Sequence, residues 1–203
     1  MTRSSARPQL AALALSDPPE HWEALGFAVS ANSTWLGDVE IRFGCPGRGI
    51  VGWSLRGAQS AVDGLPVADA PAGQAPGLQH PNGATGLDHV VILAPDFDRT
   101  ASALESAGLA LRRVAQRPDG ARMGFRRLGS AILELVEAGE ADAGPARFWG
   151  LVVIVGDLDA LAARLGERLG KIRPAVQPGR RIATLHASAG LQQAVAFMDP
   201  EPA

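Results

Sequence analysis

Two polar side chains are set into apolar strands where chemistry needs them. His89 lies in Asp88-His89-Val90-Val91-Ile92-Leu93, and Glu134 in Ala131-Ile132-Leu133-Glu134-Leu135-Val136-Glu137. Strand side chains alternate, so His89, Val91 and Leu93 share one face, as do Ile132, Glu134 and Val136. A carboxylate on an apolar strand face is costly unless it is paired, hydrogen-bonded or bound to metal. Arginines form a second set. Arg126-Arg127 and Arg180-Arg181 each put one guanidinium on either face of a strand. Arg127 and Arg181 are candidates to clamp a carboxylate or phosphate through a bidentate fork, the alternative being strand ends in solvent.

The elements that hold these residues follow one pattern written three times: an apolar strand, an Asp, a short helix and a Gly. It runs from Leu13 through Asp17 to Gly26, from Val90 through Asp96 to Gly108, and from Val152 through Asp157 to Gly170. Each Asp is placed to cap its helix, and Pro18-Pro19 suits a first turn whose amides have no helical partner. Leu158, Leu161, Leu165 and Leu169 form the apolar stripe of the third helix. Further strand-like runs follow each Gly, so the unit is β-α-β-β-β. The expected divisions are a degenerate unit over 1–57, a Pro/Gly/Ala-rich linker over 58–86 read as a tether, and a domain of two units over 87–203 (87–140 and 147–199).

Composition narrows the function classes. The chain has 203 residues, 46% of them apolar, enough for a substantial core. A net charge of −2 with interspersed arginines and acids gives no basic footprint for nucleic acid. No apolar stretch approaches the roughly 18 residues that span a bilayer, and the start from Met1 to Pro8 lacks the pattern of a leader. A soluble, cytoplasmic protein is expected. Cys45 stands alone, so neither a disulfide framework nor a cysteine metal cluster is expected.

The repeated units, with His89 in the opening strand and Glu134 in the closing strand of the second, resemble the vicinal oxygen chelate superfamily of glyoxalases, extradiol dioxygenases and bleomycin-resistance proteins. The resemblance implies an α+β fold of glyoxalase-like βαβββ units with strand order 1-4-3-2, two units curling mixed sheets around a cup. It places His89 and Glu134 at metal-ligand positions, suited to zinc, manganese, nickel or ferrous iron. The corresponding positions fall near Leu10 and Trp53 in the first unit, and at Gly150 and near Phe197 in the third, none of which binds metal. Three arrangements stay open. Two copies of the chain pool their His89 and Glu134; or His80, His186 or Glu137 completes a three-ligand site; or no metal is used. A hydrogen bond from His89 to Glu134 between neighbouring strands is the purely structural alternative. With a metal, the implied activity is that of a lyase, isomerase or dioxygenase on a substrate with adjacent oxygens, Glu134 moving the proton. Without one, the cup binds or sequesters a small molecule. Phe125 and Trp149, with Trp53 and Phe197, are candidate aromatic walls, core packing being the alternative. His80 and His186 are read as solvent-facing. Three units in a fold that pairs them predict a homodimer or a displaced arrangement.

Overall fold

The computed structural model describes residues 7–58, 61–71, 73–139 and 144–202; the opening segment read for a leader lies outside them up to residue 6. Local capping acts as expected in two of the three units. Asp96 accepts a hydrogen bond from the amide of Arg99 (2.9 Å) and starts α2 (Phe97–Ser106), and Asp157 accepts from the amide of Ala160 (2.9 Å) and starts α3 (Leu158–Leu165). Asp17 does not cap α1 (Pro19–Glu23), whose N-cap is Pro18. It is buried and accepts from Trp22 Nε1 (3.1 Å), the amide of Gln192 (2.9 Å) and Gln193 Nε2 (2.6 Å), tying the first unit to the third. A carboxylate out of water needs several donors, and the tertiary structure supplies more than a helix end would.

The second unit adds β5 (Ala84–Ala94), β6 (Arg113–Gln116), β7 (Arg122–Leu128) and β8 (Ala131–Glu137), and the third adds β9 (Arg147–Val155), β10 (Arg173–Pro174), β11 (Arg181–Thr184) and β12 (Ala194–Met198). Within each, the opening strand pairs in parallel with the closing one, giving the orders 5-8-7-6 and 9-12-11-10. Antiparallel pairing of β5 with β9 joins them into one eight-stranded mixed sheet. One face is apolar and buried at its centre: Val90, Ile92, Leu133, Leu135, Val153 and Phe197 lie in the main core with Leu104 of α2 and Leu161 of α3. The opposite face carries His89, Val91, Glu134, Val152 and Ala196 and lines the cup.

The first unit packs against the covered face. Its strands β1 (Gln9–Leu15), β2 (Ser33–Leu36), β3 (Val39–Arg42) and β4 (Ile50–Arg56) form a separate sheet of order 2-3-1-4. Trp22, Phe27, Ile41 and Trp53 belong to the same core as the eight-stranded sheet, with Phe27 stacked on Phe197 (centroids 6.2 Å apart) and Trp53 edge-on to Phe148 (5.6 Å). The odd unit is thus displaced onto the back of the pair. Its β3 takes the parallel place beside the opening strand, and β4 lies antiparallel on the other side, as β9 does beside β5. The segment read as a tether is packed too. Val62 and Leu65 are buried, the backbone of 66–68 bonds to Trp53, and Asp63 accepts from Arg99 Nε (2.8 Å) and from the hydroxyl of Thr100 on α2. Among the described residues no helix is long and apolar enough to cross a membrane.

Strand register explains why the third unit lacks a polar pair. Val91 faces Glu134, and Val152, equally placed before Asp157, faces Ala196; so Ala196 rather than Phe197 occupies the position of Glu134. Gly150 occupies the position of His89, and a Cβ built there would lie 2.3 Å from the carbonyl oxygen of Ala194. No side chain fits without moving β12. Gly150→Ala is therefore expected to cost about 1–3 kcal/mol through forced separation of β9 and β12, measured by urea unfolding; a change below a few tenths would show that the strands yield freely.

Candidate active site

His89 owes its setting to an irregularity in β5. Leu87 is opposite Val153 and His89 opposite Val152, which leaves Asp88 as the extra residue of a β-bulge. The Asp88 carboxylate then reaches its neighbour: Oδ2 lies 2.7 Å from His89 Nδ1, and Oδ1 accepts from Arg180 Nη2 at 2.5 Å. Arg180 comes from the turn before β11, so the bond links the two units, and its Nε also donates to the carbonyl of Asp199 (2.7 Å). The side chains of Arg180 and Asp88 are only 4% and 7% exposed, which makes this a desolvated pair rather than a surface one. On the other side of the imidazole, His89 Nε2 is 3.3 Å from Glu134 Oε2.

The electrostatics of the two acids diverge. Burial alone would push the Asp88 carboxyl up, but the hydrogen bonds and charges of His89 and Arg180 outweigh it and hold the group below the usual carboxylate range. Burial pushes the Glu134 carboxyl up, and the charges of His89 and Arg117 only partly oppose it. Asp88 stays ionised and holds the imidazole through Nδ1, which leaves Nε2 facing Glu134. Glu134, at that nitrogen, keeps its proton to higher pH than an ordinary glutamate.

His89 and Glu134 sit between two lobes of the cup. One, of about 260 Å³, is walled by Val91, Val136, Trp149 and Ala196, with Arg117 among its lining residues. The other, of about 330 Å³, is walled by Met123, Phe125, Ile182 and Met198, with Arg173. Trp149, 51% exposed, stands in the first lobe, and Phe125, beneath the guanidinium of Arg113 at 5.9 Å, in the second. The structure thus brings His89, Glu134, Trp149 and Phe125 together. Arg181 is directed elsewhere: it pairs with Asp159 of α3 (2.9 Å) and Asp199 (2.7 Å), because its strand position is opposite to that of the cup-lining Ile182 and Thr184. Arg127 is exposed at the end of β7, 3.9 Å from Glu201. Trp53 and Phe197 are core.

The three residues considered as a further metal ligand lie away from the pair. His80 is buried, not solvent-facing: Nδ1 accepts from the amide of Ala28 (3.1 Å) and Nε2 donates to the carbonyl of Trp35 (2.9 Å). Glu137 is held by Arg122 (2.7 Å), which also pairs with Asp98 of α2 on the covered side. His186 is exposed beside Gln192. In the first unit Glu40, not Trp53, takes the position of Glu134, and its carboxylate is bound by Arg42 (2.8 Å). Among the described residues no group of three or more His, Cys, Asp or Glu is placed to hold a metal ion. His89 and Glu134 supply two donors, short of the three or four that a closed or open mononuclear site uses.

Asp88 and Arg117 are the site residues that pattern reading passes over, while Arg180, read with Arg181 as a strand pair that could clamp a ligand, holds Asp88 instead. Asp88 carried one signal, an acid directly beside a histidine in an otherwise apolar strand. Arg117 carried none, since it lies in the turn between β6 and β7. Asp88→Asn is expected to cost about 3–5 kcal/mol, because it leaves Arg180 buried and uncompensated, while Asp88→Asn with Arg180→Met recovers most of it; a double variant no better than the single would contradict the pairing. Glu134, whose folded value is raised, binds its proton more tightly folded than unfolded, so its ionisation lowers stability as pH rises through the carboxylate range. Glu134→Gln should therefore gain on the wild type between pH 4 and pH 8 in melting temperature, and a pH-independent difference would refute the burial effect.

No family model matches the chain, and no curated protein matches it. Solved structures similar to it include the methylmalonyl-CoA epimerase of Mycobacterium tuberculosis, at 26% identity over 59% of this chain and 91% of that one, with a TM-score of 0.49. A Streptomyces coelicolor methylmalonyl-CoA epimerase variant in complex with 2-nitronate-propionyl-CoA is 21% identical over 58% and 96% of the respective chains, with a TM-score of 0.48. The strand orders 5-8-7-6 and 9-12-11-10, each with its opening and closing strands in parallel contact, make this an α+β fold of paired glyoxalase-like βαβββ units.

Proposed function

We propose that the cup binds a small molecule with a carbon acid beside a carbonyl and moves its proton, an isomerase-type reaction within the vicinal oxygen chelate superfamily. The observation that carries this reading is the chain Arg180–Asp88–His89–Glu134, which is buried at one end and open to an apolar cavity at the other. Asp88 orients the imidazole and stabilises its cationic form, and Nε2 is the base that accepts the substrate proton. Glu134, protonated to higher pH by its burial, is the acid that returns a proton at the neighbouring oxygen or carbon. Arg117, among the same lining residues, offsets the charge of the enolate-like intermediate. Lobes on both sides of the pair accommodate substituents on either side of the reacting carbon. The donor set, His89 and Glu134, does not support a metal held by one chain.

The experiment follows deuterium uptake from heavy water into 2-substituted acyl thioesters, 2-oxo acids and 2-hydroxy ketones, with metal content measured by plasma mass spectrometry on the same samples. Exchange that falls about 10²–10⁴-fold in His89→Gln and in Glu134→Gln is expected, with ligand binding retained. Binding without exchange would replace this reading with sequestration of a small molecule. One metal ion per two chains, lost in Glu134→Ala, would replace it with a divalent-metal site shared across a homodimer.

A further inference from the structure

Outside the cup, a cleft of about 500 Å³ opens where the start of β1 meets the β7–β8 turn, and four arginines line it: Arg7, Arg112, Arg126 and Arg127, with Gln9 and Gly129. No acidic side chain is among its described lining residues. Arg126 is the informative one. Its Nε is buried without a hydrogen-bond partner, and its Nη1 makes only a long contact, 3.4 Å, to the carbonyl of Ala110. Partial burial first, and then the charge of Arg112, pull its pKa down, so the guanidinium with its buried Nε is also repelled. Arg127 leans 3.9 Å from Glu201 and stays mostly exposed. A buried donor left unpaired among like charges is an unfavourable arrangement, and a bound oxyanion corrects both faults by supplying acceptors and negative charge.

We propose that this cleft is an anion site for a phosphate group, either free or at the end of a small phosphorylated molecule. Four positive charges call for a dianion or more, which favours phosphate over a single carboxylate, and guanidinium forks match its oxygens. The ligand would touch the start of β1 of the first unit and β7 of the second, joining the two units. None of the four arginines lines either lobe of the cup, so the site stands apart from the proton-transfer reading and survives its failure.

The test is calorimetric titration of the full chain with inorganic pyrophosphate, inorganic phosphate and ethyl phosphate at constant ionic strength. Saturable one-site binding at submillimolar to millimolar concentration is expected, with ethyl phosphate against inorganic phosphate telling an ester from the free ion. Arg126→Met should weaken it about tenfold or more, the loss expected for a hydrogen bond to a charged group. Arg112→Met, at an exposed position that leaves folding intact, should weaken it several-fold, and Arg173→Met in the cup should leave it unchanged. Absence of saturable binding, wild-type affinity in Arg126→Met and Arg112→Met, or loss in Arg173→Met would overturn the site.

Discussion

The Asp88 carboxylate is held between His89 and Arg180, and much of the structure can be understood as the means of keeping it there. An ion pair this deep is a poor source of stability, because desolvating both groups offsets most of their attraction. What it provides is orientation. The bond from Arg180 keeps Asp88 charged, the charged carboxylate holds the ring through Nδ1, and Nε2 is left facing Glu134 and the cavity. Because Arg180 belongs to the third unit and Asp88 to the second, the pair also locks the two halves of the cup in one relation.

The two halves are alike in topology and unlike in chemistry. The register that sets His89 and Glu134 on the cup face sets Gly150 and Ala196 on it in the third unit. The close approach of β9 to β12 leaves no room for a side chain at Gly150, so the asymmetry is built into the packing. One half supplies the polar pair, and the other supplies a smooth apolar wall and the arginine that steadies that pair from behind. The first unit departs further. With β4 antiparallel to β1 it completes its sheet without a partner, and its aromatic side chains fill the back of the eight-stranded sheet.

The fold was largely legible because it is written in local patterns. Asp96 and Asp157 cap their helices, the leucine stripe of α3 is buried, and the alternation around His89 and Glu134 places both on the cup face. The readings that failed depended on distant partners. Asp17 looks like Asp96 in sequence, yet Gln192 and Gln193 reach it from the far end of the chain. His80 sits among prolines and glycines and is nonetheless enclosed by Ala28 and Trp35. Arg181 has the strand setting of a clamp, but α3 and the chain end supply Asp159 and Asp199 on the opposite face.

The sequence by itself determined the units, their helices and the chemistry available to the second one, since periodicity, capping and turn residues act within a few positions of one another. Only the tertiary structure decided which acid orients His89, that Glu40 and Ala196 are the counterparts of Glu134, that the odd unit covers the back of the pair, and that four arginines face one cleft. Each of these depends on strand register or on contacts between residues far apart in the chain. A shift of one residue in register turns a side chain to the other face, and no local pattern records it.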